Sequence, residues 1–124
     1  MRVFDSNILI YHLNDARPPS VFTQVESWIT EGAVISVMSR IEVLGYPLTA
    51  DQLQQAMRFL ADFDEIPLHE PVVQRTITLR QQHRIRLPDA LIAATAPDLG
   101  FLLVTRNTQD FHTINGLIIL NLFA

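Results

Sequence analysis

Four carboxylates stand where the chain changes direction. Asp5 directly follows the apolar run Arg2–Phe4, and Glu42 lies in the segment after Ala33–Val37. Asp89 opens an Ala-rich run at Pro88, and Asp110 comes shortly after Phe101–Thr105. Carboxylates brought together repel one another, and each desolvated charge is costly without a counter-ion. A hard divalent cation relieves both problems. Mg²⁺ or Mn²⁺ takes oxygen ligands, keeps several waters, and can activate one of them against a phosphodiester. Zinc fits less well, because there is no cysteine and His12, His69, His83 and His112 have no ligand-like spacing. Those histidines read as surface or packing residues. Each acid taken singly is equally well read as a helix cap. Asp5 suits an N-cap, Ser39-x-x-Glu42 fits a capping box, Asp89 follows Pro88 at a helix start, and Asn107-x-x-Asp110 repeats the pattern. Spacing alone leaves both readings open.

The elements that must position these acids can be read from the apolar pattern. Arg2–Phe4 is a short strand, and Asp5-Ser6-Asn7 caps a helix carrying Ile8, Leu9, Ile10 and Leu13. Pro18-Pro19-Ser20 opens a second helix with Phe22, Val25, Trp28 and Ile29 on one face, ended by Gly32. Ala33–Val37 reads as a buried strand, Ser39–Gly45 as a short helix, and Thr49–Phe63 as a longer one with Leu53, Met57, Leu60 and Phe63 inward. A strand at Ile66-Pro67-Leu68, a helix over Pro71–His83 and an Ala-rich helix over Pro88–Gly100 follow, with Pro97 expected to kink or end the last of these early. Phe101–Thr105 is a strand, Asn107–His112 a helical turn, and Leu117–Leu120 a final strand. Short apolar strands alternating with helices define an α/β domain with a parallel sheet. In such sheets, sites lie beyond the carboxyl ends of the strands. Strands one, two and four then deliver Asp5, Glu42 and Asp110 to one edge, where Asp89 arrives on the end of its helix.

Composition narrows the chemistry further. The 124 residues fit a single domain over 1–124. All nine cations are Arg; there is no lysine. A P-loop NTPase, a receiver domain and a Schiff-base enzyme each need a Lys, so all three are excluded. The net charge of −4 argues against broad, non-specific binding of a polyanion. The four candidate acids equal that excess, so the deficit can sit in one metal pocket. No apolar run approaches the ~18 residues of a membrane span, and Asp5 interrupts anything resembling a signal peptide. The expectation is a cytoplasmic protein with no membrane partner.

Four blocks carry a family resemblance: Val3-Phe4-Asp5-Ser6-Asn7-Ile8-Leu9-Ile10, Ser39-Arg40-Ile41-Glu42-Val43-Leu44, Leu87-Pro88-Asp89-Ala90-Leu91-Ile92-Ala93-Ala94-Thr95-Ala96 and Val104-Thr105-Arg106-Asn107-Thr108-Gln109-Asp110-Phe111. Together they resemble the PIN-domain family, and within it the VapC-type toxins of toxin–antitoxin pairs. The resemblance spans almost the whole chain in the family's order. It implies a three-layer α/β/α domain with a five-stranded, mostly parallel sheet and an endoribonuclease dependent on Mg²⁺ or Mn²⁺. The family's catalytic acids carry over onto Asp5, Glu42, Asp89 and Asp110, with Asp5 and Asp89 as the first metal ligands and Glu42 and Asp110 as further ones. Asn107 occupies a second position at which relatives carry the last site residue. Ser6, Asn7 and Thr105 match supporting polar positions.

The implied reaction is attack of a metal-activated water on an RNA phosphodiester, with metal and Arg stabilising the developing charge. Arg84 and Arg86, close to Asp89, and Arg40 and Arg106, beside the other blocks, are the candidate contacts for RNA or for an antitoxin. Arg75 and Arg80 read as a solvated helix face. Phe22, Trp28, Met57, Phe59 and Phe63 read mainly as core, some of them as interface, since the resemblance also implies a homodimer and an antitoxin partner. Two alternatives stand beside the toxin: an RNA-processing nuclease of the same fold, and a catalytically silent module that only binds.

Overall fold

A computed structural model describes residues 2–14, 18–96, 102–112, 114 and 118–121. Strand β1 (Arg2–Phe4) leads into helices α1 (Ser6–Leu13) and α2 (Pro19–Glu31), then β2 (Ala33–Ser36), α3 (Val37–Leu44) and α4 (Ala50–Leu60). Strand β3 (Asp64–Ile66), helices α5 (Glu70–Gln82) and α6 (Leu87–Ala94), and strand β4 (Leu102–Val104) follow. A 3₁₀ turn (Thr108–Asp110) precedes β5 (Ile118–Leu120). The strands form one five-stranded sheet in the order β3-β2-β1-β4-β5. Every pairing is parallel, with Val3 opposite Val34 on one side and Leu103 on the other.

The strands are apolar throughout because both faces are covered. Their side chains alternate between two cores with the two-residue period of a pleated strand. Phe4, Ala33, Ile35 and Val104 point to one side, where they meet Ile8 and Leu9 of α1, Val25 and Trp28 of α2, and Ala56 and Leu60 of α4. Val3, Val34 and Leu103 point to the other, against Ile92 and Ala93 of α6 and the ring of Phe111. Helix α5 packs outside α6 and sends Leu79 towards the same core. The expected three-layer α/β/α arrangement is what these two cores build.

Several local expectations are corrected. Strand β2 stops at Ser36, because the Ser36 hydroxyl accepts from the Met38 N–H at 3.1 Å and starts α3 there. Ser36, not Ser39, is therefore the cap, and the proposed Ser39-x-x-Glu42 capping box does not form. A capping box does form one helix later, between Thr49 and Gln52. Within α4, Leu53 and Met57 face outward, and Ala56 and Leu60 turn in. Phe63 points inward as expected, though from beyond the helix end. The third strand lies at Asp64–Ile66, before Pro67, which has no N–H to give a ladder; Leu68 is exposed. Helix α6 ends at Ala94, short of the expected Gly100. Pro97, Gly100, Phe101 and Leu117 lie outside the described residues.

Arg75 is also corrected. It is half-buried, and its Nε donates at 2.7 Å to the Ala94 carbonyl at the end of α6, so it is no part of a solvated face. His12 is a packing residue: buried, 2.8 Å from Glu26 through Nε2, and stacked against Phe22 and Phe59. Gly32 closes α2 with φ of 110°, a conformation that side chains disfavour.

Candidate active site

The sheet reverses its winding between β1 and β4, and the crevice at such a switch point is the natural binding position in an open α/β sheet. Asp5 emerges there from β1 and Thr105 from β4, joined by the Asp5 N–H to Val104 carbonyl bond of 2.9 Å. A cavity of about 510 Å³ opens above them. It is lined by Asp5, Ser6 and Asn7 from the β1–α1 junction, Glu42 from α3, Arg86 and Asp89 from the start of α6, and Asn107 after β4. Ile10, Ile41, Tyr46 and Pro47 form its apolar rim.

Asp5 serves both purposes that its sequence position allows. Its Oδ1 accepts from the Ser6 N–H at 2.7 Å and caps α1; its Oδ2 accepts from Thr105 Oγ1 at 2.7 Å. The carboxyl is buried, and its pKa is pushed up to about 6. Burial is the main cause, and the charges of Asp89 and Glu42 add to it. The hydrogen bonds from Thr105 and from the Ser6 N–H oppose it. Thr105, itself buried, is a hub. Its oxygen also accepts from the Asn107 N–H at 3.0 Å and from Asn7 Nδ2 at 3.4 Å, so both loops are tied to one hydroxyl.

Glu42 is steered from α1. Ser6 Oγ lies 2.7 Å from Glu42 Oε1 and 3.0 Å from Ser39 Oγ. Ser39 is fully buried in α3, one turn before Glu42, and fixes how closely the two helices approach. Sequence reasoning took Ser39 for a cap and missed this contact; an uncharged hydroxyl inside a helix carries no local signal for a partner 33 residues away. Asp89 is also buried, and Arg86 Nε donates to its Oδ2 at 3.2 Å.

The four proposed acids do not all reach the cavity. Asp5, Glu42 and Asp89 do. Asp110 is exposed and stands one step back, accepting from the side-chain amide of Asn107, which does line the cavity. The proposed Arg contacts divide in the same way. Arg86 lines the cavity, and Arg40 is taken up by Glu65 at 2.5 Å beside a separate groove. Arg106 has its guanidinium 4.2 Å over the Tyr11 ring, and Arg84 is an exposed residue between α5 and α6.

Among the described residues, no three acids or histidines converge as a ready metal cage. The donor set still suits one class of ion. Mg²⁺ is commonly held by one or two carboxylates, with waters and substrate phosphates completing its shell. Asp5 and Asp89, both buried and both lining one cavity, with Asp89 adding to the cost of charge on Asp5, are such a pair.

A parallel α/β/α sheet with carboxylates gathered at its switch point defines the class, and the comparisons agree with it. The PIN domain model matches residues 2–117, and the chain belongs to the PIN-domain family. Within that family its likeness is to VapC proteins. Ribonuclease VapC10 of Mycobacterium tuberculosis is 31% identical over 121 residues, covering 90% of this chain and 86% of the relative. A toxin-antitoxin complex from Klebsiella pneumoniae contains a chain 32% identical, with a TM-score of 0.80, covering 95% of this chain and 96% of that one. The crystal structure of VapBC2 from Rickettsia felis, bound to a promoter DNA fragment, gives 25% identity, a TM-score of 0.82 and 97% coverage of both chains.

Proposed function

We propose that this protein is a divalent-metal-dependent endoribonuclease, the toxin member of a toxin–antitoxin pair. One observation carries the reading: Asp5, Glu42 and Asp89, from three separate elements, line a single open cavity beside Arg86. The match to a ribonuclease supports the reaction class, and the solved toxin–antitoxin complexes support a protein partner. RNA is the proposed substrate, Mg²⁺ or Mn²⁺ the proposed cofactor, a homodimer the proposed assembly and the cytoplasm the proposed location. No helix among the described residues is long and apolar enough to cross a membrane.

In this mechanism Asp5 and Asp89 would hold the metal, with Glu42 facing the same space. A divalent ion held there would supply Lewis-acid chemistry, offsetting charge on a phosphoryl oxygen and easing loss of a proton from a bound water. Thr105 and the Ser6 N–H keep Asp5 oriented. Ser6 holds Glu42 towards the cavity, where its carboxylate can order the attacking water. Arg86, the one cation among the described lining residues, would meet an incoming phosphate. Asn107 and Asn7, tied to Thr105, present amides at the mouth for the RNA backbone.

Incubation of the purified protein with total cellular RNA tests the reading. Cleavage in Mg²⁺, its loss in EDTA, and its loss in the folded Asp5→Asn variant are the expected results. Equal cutting by wild type and Asp5→Asn would overturn the site, and no cutting under any divalent ion would overturn the activity.

A further inference from the structure

Arg86 is badly placed for the helix it begins. It occupies the N-cap of α6 without capping it, where exposed N–H groups and the helix dipole disfavour a positive charge. Helix stability would favour Ser, Thr, Asp or Asn there. What accounts for Arg86 is the cavity: it is the one cation among its described lining residues, and its Nε lies 3.2 Å from Asp89 Oδ2. Asp89 is held in a buried position while the Arg86 side chain is 74% exposed. The buried partner is the acid, and the solvent-facing one is the guanidinium.

We propose that Arg86 is a tethered counter-cation for the metal-free site, occupying Asp89 until a divalent ion displaces it. The inference rests on the metal-dependent reading above and deepens it. An ion approaching Asp89 meets one oxygen already hydrogen-bonded and a positive charge beside it. Both must yield before the carboxylate can act as a ligand. Acids beyond its partner also act on the guanidinium: its pKa is raised by Asp89 above all, with further contributions from Asp110, outside the cavity lining, and from Glu42. The pair therefore lowers the repulsion among the acids when no metal is bound, and it sets the metal affinity below what the carboxylates alone would give.

Titration calorimetry of Mn²⁺ into the full chain without RNA tests this. Arg86→Gln should bind Mn²⁺ about three- to tenfold more tightly than wild type, the range expected for losing one partly screened, charge-assisted pair. Arg86→Lys, which keeps the charge, should stay within about twofold of wild type by the same reasoning. Unchanged or weaker binding by Arg86→Gln overturns the proposal, as does Arg86→Lys binding as tightly as Arg86→Gln. A second measurement uses wild type alone. The Arg86 Nε–H nitrogen resonance should move on saturation with diamagnetic Mg²⁺, and an unmoved resonance also overturns the proposal. The two readings fail separately. RNA cleavage by wild type in Mg²⁺ with unaltered Mn²⁺ affinity in Arg86→Gln sinks only the counter-cation, whereas tighter Mn²⁺ binding by Arg86→Gln with no RNA cleavage by wild type sinks only the activity.

Discussion

Thr105 Oγ1 and Asp5 Oδ2 are joined at 2.7 Å across 100 residues of sequence, at the ends of two adjacent parallel strands. The bond favours the charged form of an acid whose burial favours the neutral one. Removing it should therefore push the Asp5 pKa above its value of about 6. Thr105→Val, which keeps the shape, is expected to shift the acid limb of the rate–pH profile upward. It also leaves the Asn107 N–H without its acceptor, so a stability loss of about 1–3 kcal/mol is expected. Rate–pH profiles and urea melts of both proteins check the two halves.

Asp5 also makes the metal-free fold depend on pH in an unusual direction. Its folded pKa of about 6 lies above the ordinary carboxylate value of 3.8, so the folded state holds the proton more tightly than the unfolded chain does. Below both values the carboxyl is protonated in both states and costs nothing. Above both it is charged in both, and the buried charge opposes folding. Stability from this group is lost as pH rises through the interval between them. In EDTA at neutral pH, Asp5→Asn should be more stable than wild type by about 1–3 kcal/mol, the two-unit shift less the altered Thr105 contact. The advantage should vanish near pH 4. Saturating Mn²⁺ should raise the melting temperature of wild type and leave Asp5→Asn where it was. Denaturation at three pH values, with and without metal, reads all of this.

The site was legible wherever chemistry and chain direction coincide. Asp5 follows a strand, and Asp89 starts a helix, so topology alone brings both to one edge. Glu42 was legible from its place after the second strand, and the capping-box alternative fails because Ser39 packs against Ser6 of α1 instead of capping its helix. Asp110 stayed ambiguous because a three-residue 3₁₀ turn decides which of Asn107 and Asp110 reaches the cavity, and no periodicity encodes that. Leu53 and Met57 misled because apolar residues every three or four positions describe a stripe without saying what it faces. Here the sheet takes Ala56 and Leu60, and the stripe beside them stays on the surface. Arg75, inside α5, and Arg86, at the start of α6, took different readings from sequence, and neither foresaw that one binds a carbonyl and the other an acid. Such long side chains take their roles from tertiary neighbours.

Arg75 separates support of the fold from support of the site. Its Nε closes the C-terminal end of α6 by bonding the Ala94 carbonyl, 19 residues away, and so clamps α5 onto α6. Asp89 sits at the opposite end of α6, about 7 Å further along the axis at 1.5 Å per residue. Losing the clamp frays the last turn, where orphan carbonyls collect, and leaves the first turn held by Asp89 and Ala90, both buried. Arg75→Ala is expected to cost about 1–2 kcal/mol, since a charged donor leaves a partly buried carbonyl unpaired. For a chain of this length that is a fall of roughly 3–8 °C in melting temperature. Mn²⁺ affinity should change by less than about twofold, because distant, independent sites add. A large loss of affinity in Arg75→Ala would mean that α6 moves as one body and that Asp89 is positioned from its far end.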